Sequence, residues 1–227
     1  MSTETTTLSE SAEMYLIVIY RLTQNQASAS TTEIAARLAI SQPSVTEQLK
    51  RLHSRGYVNY EWREGASLTP VGLKIALATL RKHRLVESFL VNLMGYGLDE
   101  VHEEACRLEH YISDRLADGL EKLLSFPQFD PHGHPIPTWT GEIAATNQRP
   151  LSTTEPGQRV LVSQVADWEP HALRYLLDRG LKPGTALTVL DRVPNQGPVL
   201  VQVSDQTVAI TFALAKEVKV TPVPEER

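Results

Sequence analysis

Residues 30 to 69 constrain the fold of this chain more tightly than any other stretch. Ser30 or Thr31, with Glu33 close behind, opens a short helix, Thr32 to Leu38, that turns Ile34, Ala35 and Leu38 inward. Ala39, Ile40 and Ser41 make a tight turn, and Pro43 falls in the first turn of a second helix, where its missing N–H costs nothing. That helix buries Val45, Leu49 and Leu52 and leaves Ser44, Thr46, Glu47, Lys50 and Arg51 outside. Gly56 ends it, Tyr57 to Trp62 alternates as a strand, Arg63-Glu-Gly-Ala turns, and Ser67-Leu-Thr-Pro returns. An amphipathic helix capped by Ser9, with Met14, Ile17, Val18 and Leu22 at helical spacing, precedes all of this. A bare helix pair would suit many small helical domains. The added hairpin, with Arg63 near its tip, is the wing of a winged helix-turn-helix, whose second helix is available to the major groove. The base sequence is not legible, because Ser, Thr and Gln bond base edges and phosphates alike.

A net charge of −5, taken alone, argues against a nucleic-acid partner. The sum conceals a separation: residues 50 to 84 carry eight Lys or Arg against two Glu, and residues 87 to 130 carry ten Asp or Glu against three Lys or Arg. The first block suits phosphate and the second attracts cations. A long helix runs from Thr69 to about Met94; Leu85, Val86, Phe89, Leu90 and Leu93 give it a broad apolar face, and a reader of palindromic half-sites must dimerise somewhere. A helix from about Asp99 to His110 and another after Ser113 follow. The N-terminal Met-Ser-Thr-Glu-Thr-Thr-Thr has neither the basic start nor the apolar core expected of a signal peptide, no run of about 18 apolar residues occurs, and the lone Cys106 cannot close an intrachain disulfide. These features predict a cytoplasmic protein without a membrane partner.

Residues 102 to 110, His-Glu-Glu-Ala-Cys-Arg-Leu-Glu-His, carry the chemistry. At 100° per residue His102, Cys106, Glu109 and His110 share an arc of roughly 100° on one helix face. His83 and Glu87 repeat the i, i+4 spacing on the preceding long helix. A solvated charged face is the plain alternative, but thiolate, imidazole and carboxylate together suit a first-row divalent ion rather than calcium or magnesium. His132 and His134, in the proline-rich segment Asp130-Pro-His-Gly-His-Pro-Ile-Pro, read as part of a surface segment and are not counted as ligands. Thr138 to Glu155 is polar and linker-like. Beyond it, five short alternating segments and one helix, about Pro170 to Arg179, predict a small β-barrel.

Four motifs in order, Ser-Ala-Glu-Met-Tyr-Leu at 11 to 16, Arg-Lys-His-Arg-Leu-Val-Glu at 81 to 87, Val-His-Glu-Glu-Ala-Cys-Arg-Leu-Glu-His at 101 to 110 and Gly-His-Pro-Ile-Pro at 133 to 137, resemble the diphtheria toxin repressor family of metal-dependent transcriptional regulators over almost the whole chain. The resemblance implies a mainly α chain with a small β domain: a winged helix-turn-helix DNA-binding domain at 1–75, a helical metal-binding and dimerisation domain at 76–140, a linker at 141–155 and an SH3-like domain at 156–227. It implies two metal sites per subunit, with Met14, Cys106, Glu109 and His110 at the primary site and His83, Glu87 and His102 at the ancillary one. Glu169 falls where the third domain lends a glutamate, whereas Ala172 stands at the position of a glutamine, so that ligand is either lost or replaced by His171. The resemblance also puts Ser41, Pro43, Ser44, Thr46 and Glu47 at DNA-facing positions, with Arg51 and Thr32 nearer phosphates. Glu47 replaces the family's frequent glutamine.

The expected function is therefore a homodimeric repressor of metal-uptake genes that binds double-stranded operator DNA, with Fe(II) or Mn(II) as corepressor and other divalent first-row metals able to substitute in vitro. The manganese-selective branch resembles this chain less, since it places carboxylates where Met14, Ile17 and Cys106 stand. Whether the SH3-like domain docks on its own core is left open by the sequence. Two other classes are a winged-helix regulator sensing an organic ligand and a metal-dependent hydrolase. The absence of His-Glu-x-x-His and of a nucleophile elbow speaks against the enzyme.

Overall fold

The computed structural model of the chain describes residues 8–24, 26–167 and 169–223. Helix α1 (Glu10–Leu22) starts at Ser9, whose hydroxyl accepts from the Ala12 N–H. Helix α2 (Thr31–Leu38) opens on a full capping box, Ser30 and Glu33 each accepting from the other's backbone N–H, and stops at Ala39 in the left-handed conformation. Helix α3 (Gln42–Ser54) is capped by Ser41 with Pro43 in its first turn. Strands β1 (Val58–Glu61) and β2 (Gly65–Leu68) pair antiparallel, and Ala29 bridges to Ala66 beside them. Leu16, Ile19, Ile34, Val45, Leu49 and Val58 fill one core beneath these elements. The turn between β1 and β2 presents Trp62, with the Arg63 guanidinium 4.2 Å over its ring.

Two compact units divide the chain. The first holds residues 1–83, 109–112 and 137–142; the second holds 84–108, 113–136 and 143–227. Helix α4 (Pro70–Met94) contributes residues to both. Its middle is buried on its charged side as well as its apolar one: Arg81, His83, Arg84, Glu87 and Ser88 are all buried beside Leu80, Leu85 and Val86. Helix α5 (Val101–Leu108) is shorter than its apolar and ligand spacing predicts, and Glu109 and His110 occupy the turn after it. Helix α6 (Asp114–Leu123) begins at Ser113.

In the second unit the β domain is one six-stranded antiparallel sheet in the order β3-β8-β4-β5-β6-β7. Its strands are β3 (Arg149–Pro150), β4 (Arg159–Gln164), β5 (Ala186–Arg192), β6 (Val199–Val203), β7 (Gln206–Ile210) and β8 (Lys219–Pro222), with α7 (Pro170–Leu177) and α8 (Phe212–Glu217) between them. Alternation puts Val160, Val162, Leu187, Val189, Val199, Val201 and Val208 inside, where Leu173, Leu176 and Leu181 meet them. Two expectations change here. Residues 149–154, linker-like by composition, form β3 and a 3-10 turn whose Leu151 is fully buried. Residues 212–217 form a short helix after Thr211, whose hydroxyl accepts from the Leu214 N–H. No helix among the described residues is long and apolar enough to cross a membrane.

Candidate metal centre

Within the first unit, residues from three segments form one hydrogen-bonded row. His83 Nδ1 lies 2.5 Å from Glu109 Oε2, Glu109 Oε1 lies 3.1 Å from His110 Nε2, and His110 Nδ1 lies 2.7 Å from Glu13 Oε2. Burial pushes the Glu109 carboxyl up, but bonds from His110 and His83 hold it below the usual carboxylate range. Its bond to Glu109, with help from Glu13, pushes His110 up to about 9 against the lowering effect of burial. Tyr111 donates to Glu10, so α1 grips this turn twice. Met14 follows Glu13 on α1 and is half-buried. Glu13 is an addition that sequence reading missed; its place beside Met14 was the signal available.

The second unit holds another group. Glu87 Oε1 lies 3.4 Å from His102 Nδ1, Glu87 Oε2 lies 3.6 Å from His132 Nδ1, and His102 Nε2 lies 3.6 Å from Cys106 Sγ. Asp167 brings a carboxylate oxygen within 4.8 Å of the donor atoms of Glu87 and His102, and Glu87, Asp130 and His132 meet the same limit. His134 Nε2 stands 4.0 Å from Asp167. The segment 130–136 is folded tightly: Asp130 Oδ1 accepts from the backbone N–H groups of His132 and His134, each at 2.9 Å, and Arg84 pairs with Asp130 and donates to the Pro135 carbonyl. The reading of His132 as a surface residue is overturned, since it is fully buried.

His132 Nε2 lies 2.8 Å from the Leu98 carbonyl, so that nitrogen carries the proton. Its Nδ1 faces Glu87 Oε2 at 3.6 Å. Burial pushes this imidazole down, but the Glu87, Asp130 and Asp167 carboxylates prevail and hold it up to about 9. Glu87, Asp130 and Asp167 are three buried carboxylates in one cluster, with Arg84 and the His132 imidazole as cationic neighbours. Ligand atoms about 2.1 Å from one ion stand about 3.0–3.4 Å apart, close to the spacings around Glu87, so the residues present fit a divalent ion.

Other expected residues lie elsewhere. Glu169 and His171 are exposed at the start of α7, outside both groups. Thr32, Ser41, Pro43, Ser44, Glu47 and Arg51 are exposed on α2 and α3, and Thr46 is half-buried with its hydroxyl donating to the Gln42 carbonyl.

Residues 7–66 match the family described as iron dependent repressor, N-terminal DNA binding domain, and residues 69–138 match its metal binding and dimerisation domain. The iron-dependent repressor IdeR of Mycobacterium tuberculosis is 32% identical over 228 residues, covering 95% of this chain and 99% of that protein. The chain belongs to the iron-dependent repressor family. The diphtheria toxin repressor of Corynebacterium glutamicum is 30% identical over 227 residues, covering 95% of this repressor and 98% of its relative. Among solved structures, a manganese-dependent transcriptional repressor in complex with manganese superposes with a TM-score of 0.86 at 36% identity, covering 93% of this chain and 100% of that one. Residues 149–222 of this family member match the FeoA domain, which is the SH3-like sheet described above.

Proposed function

We propose that this metal-dependent DNA-binding repressor controls metal-uptake genes, with Fe(II) or Mn(II) as its corepressor. The observation that carries this reading is the buried convergence of imidazole and carboxylate donors in a chain of this family. Glu109 and His110, with Met14 and Cys106, are the proposed ligands of the activating ion. Sulfur ligands favour Fe(II) over Mn(II), although metal supply also decides occupancy. His83, Glu87 and His102, with Asp167 supplying the acidic group expected of Glu169, are the proposed ancillary ligands; His132 and Asp130 adjoin Glu87 as a neighbouring group.

The bound ion would supply charge and a fixed geometry rather than reaction chemistry. The chain's part is to make that geometry matter. Helix α1 carries Met14 and packs beneath the helix-turn-helix, while Glu13 and Glu10 of the same helix hold His110 and Tyr111. Ligands drawn from α1 and from residues 109–110 fix one placement of α1. If only that placement sets α3 against successive half-sites of a dimer, metal and operator raise each other's affinity equally.

The test is operator binding by the full-length protein titrated anaerobically with Fe(II), Mn(II) and Zn(II) at fixed salt, using duplexes selected from a random pool. Metal should tighten binding, and replacing Cys106 and His110 together by Ala should abolish that gain. Binding of wild-type strength without metal in the double variant refutes the reading. At the ancillary site Asp167→Asn should weaken metal binding while Glu169→Gln leaves it unchanged; the reverse result assigns the ligand to Glu169.

A further inference from the structure

Helix α3 carries an acid where a DNA-reading helix has most to lose from one. At 100° per residue the buried side chains Val45, Leu49 and Leu52 occupy one sector of the helix, and Glu47 lies about 170° from its centre, opposite the core. Pro43, Lys50, Arg51 and Ser54 flank it on the exposed side. Glu47 is 66% exposed, and the Arg51 guanidinium one turn on bonds its carboxylate. The neighbouring hydroxyls are engaged locally, Ser41 with Ser44 at 2.8 Å and Thr46 with the Gln42 carbonyl at 3.0 Å. Glu47 is therefore the strongest acceptor on the outermost line of the helix.

A side chain opposite the core points to the floor of the major groove when the helix lies in it, and residues to either side face the phosphate walls. A carboxylate on a wall would repel phosphate. On the floor it meets base edges, and the donor best matched to a lone carboxylate there is the cytosine N4 amino group. Arg51 softens the approach: its five N–H donors allow it to hold Glu47 and still bond a phosphate or a guanine. The exposed ion pair is weak enough for either partner to be redirected on binding.

We propose that Glu47 is a specificity-determining residue that accepts a hydrogen bond from cytosine N4 in each half-site, so that this chain reads an operator different from one read by a glutamine at that position. The inference rests on the repressor reading above. Full-length wild type, Glu47→Gln and Glu47→Ala, each loaded with Mn(II), are to be used to select duplexes from a random pool and then titrated against single-base variants at fixed salt. Wild type should require cytosine at one position per half-site, with about tenfold weaker binding to any other base there. Glu47→Ala should lose discrimination at that position alone, and Glu47→Gln should shift it toward adenine. Identical selected sequences for all three proteins overturn the proposal. So does a gain in affinity for every duplex alike in Glu47→Ala, which marks a phosphate-facing carboxylate. Failure of wild type to select any sequence with Mn(II) removes the repressor reading as well.

Discussion

Replacing Gly133 by Ala tests how the histidine-bearing loop is held. Gly133 has φ +90°, and a Cβ there would stand 1.8 Å from the Ser163 carbonyl oxygen. Reaching even a tight contact of 3.0–3.4 Å demands a local shift of about 1.4 Å. The backbone conformation itself costs an L-residue about 1–2 kcal/mol. A shift of that size also breaks the 2.9 Å bond from the Val165 N–H to the His132 carbonyl, worth about 1 kcal/mol. The sum, about 2–3 kcal/mol, should appear in urea unfolding as a lower midpoint. Because His132 and His134 flank Gly133, the same shift should remove one Mn(II) equivalent in a direct metal titration. A loss below about 0.5 kcal/mol, with Mn(II) stoichiometry unchanged, would show that the loop is not clamped on β4 and would refute the argument.

Two further outcomes follow from the same geometry. Glu13→Gln removes the charged partner of His110 Nδ1, and affinity for Mn(II) should fall roughly 10–100-fold in a metal titration at constant pH; an effect within about twofold contradicts the orienting role given to Glu13. Leu16→Ala empties a fully buried position under the helix-turn-helix and should cost about 2–5 kcal/mol in urea unfolding, whereas a cost near zero means the core does not depend on α1.

Much of the winged helix was legible because its signals are local. Ser9, Ser30 and Ser41 cap as their chemistry requires, and Val45, Leu49 and Leu52 fall inside as their spacing requires. The β domain was legible as alternation, yet β3 was not, since two residues carry no period and Leu151 looks like any loop leucine until Val218 supplies its backbone partner. The end of α5 at Leu108 was equally hidden: helical spacing continues through His110, and tertiary bonds from Glu109 and His110 to His83 and Glu13 take over there.

Sequence by itself determined the inventory: one cysteine, the histidines and the acids at helical spacings, in the motif order of this repressor family. Tertiary structure decided the partners. It set Glu13 against His110, drew His132 and Asp167 toward Glu87, and left Glu169 and His171 in solvent. Helical periodicity relates residues a turn apart, whereas these partners lie up to 97 positions apart along the chain. Only folding the chain brings such groups within hydrogen-bond distance, and only there do the acids hold the His110 and His132 imidazoles up to about 9.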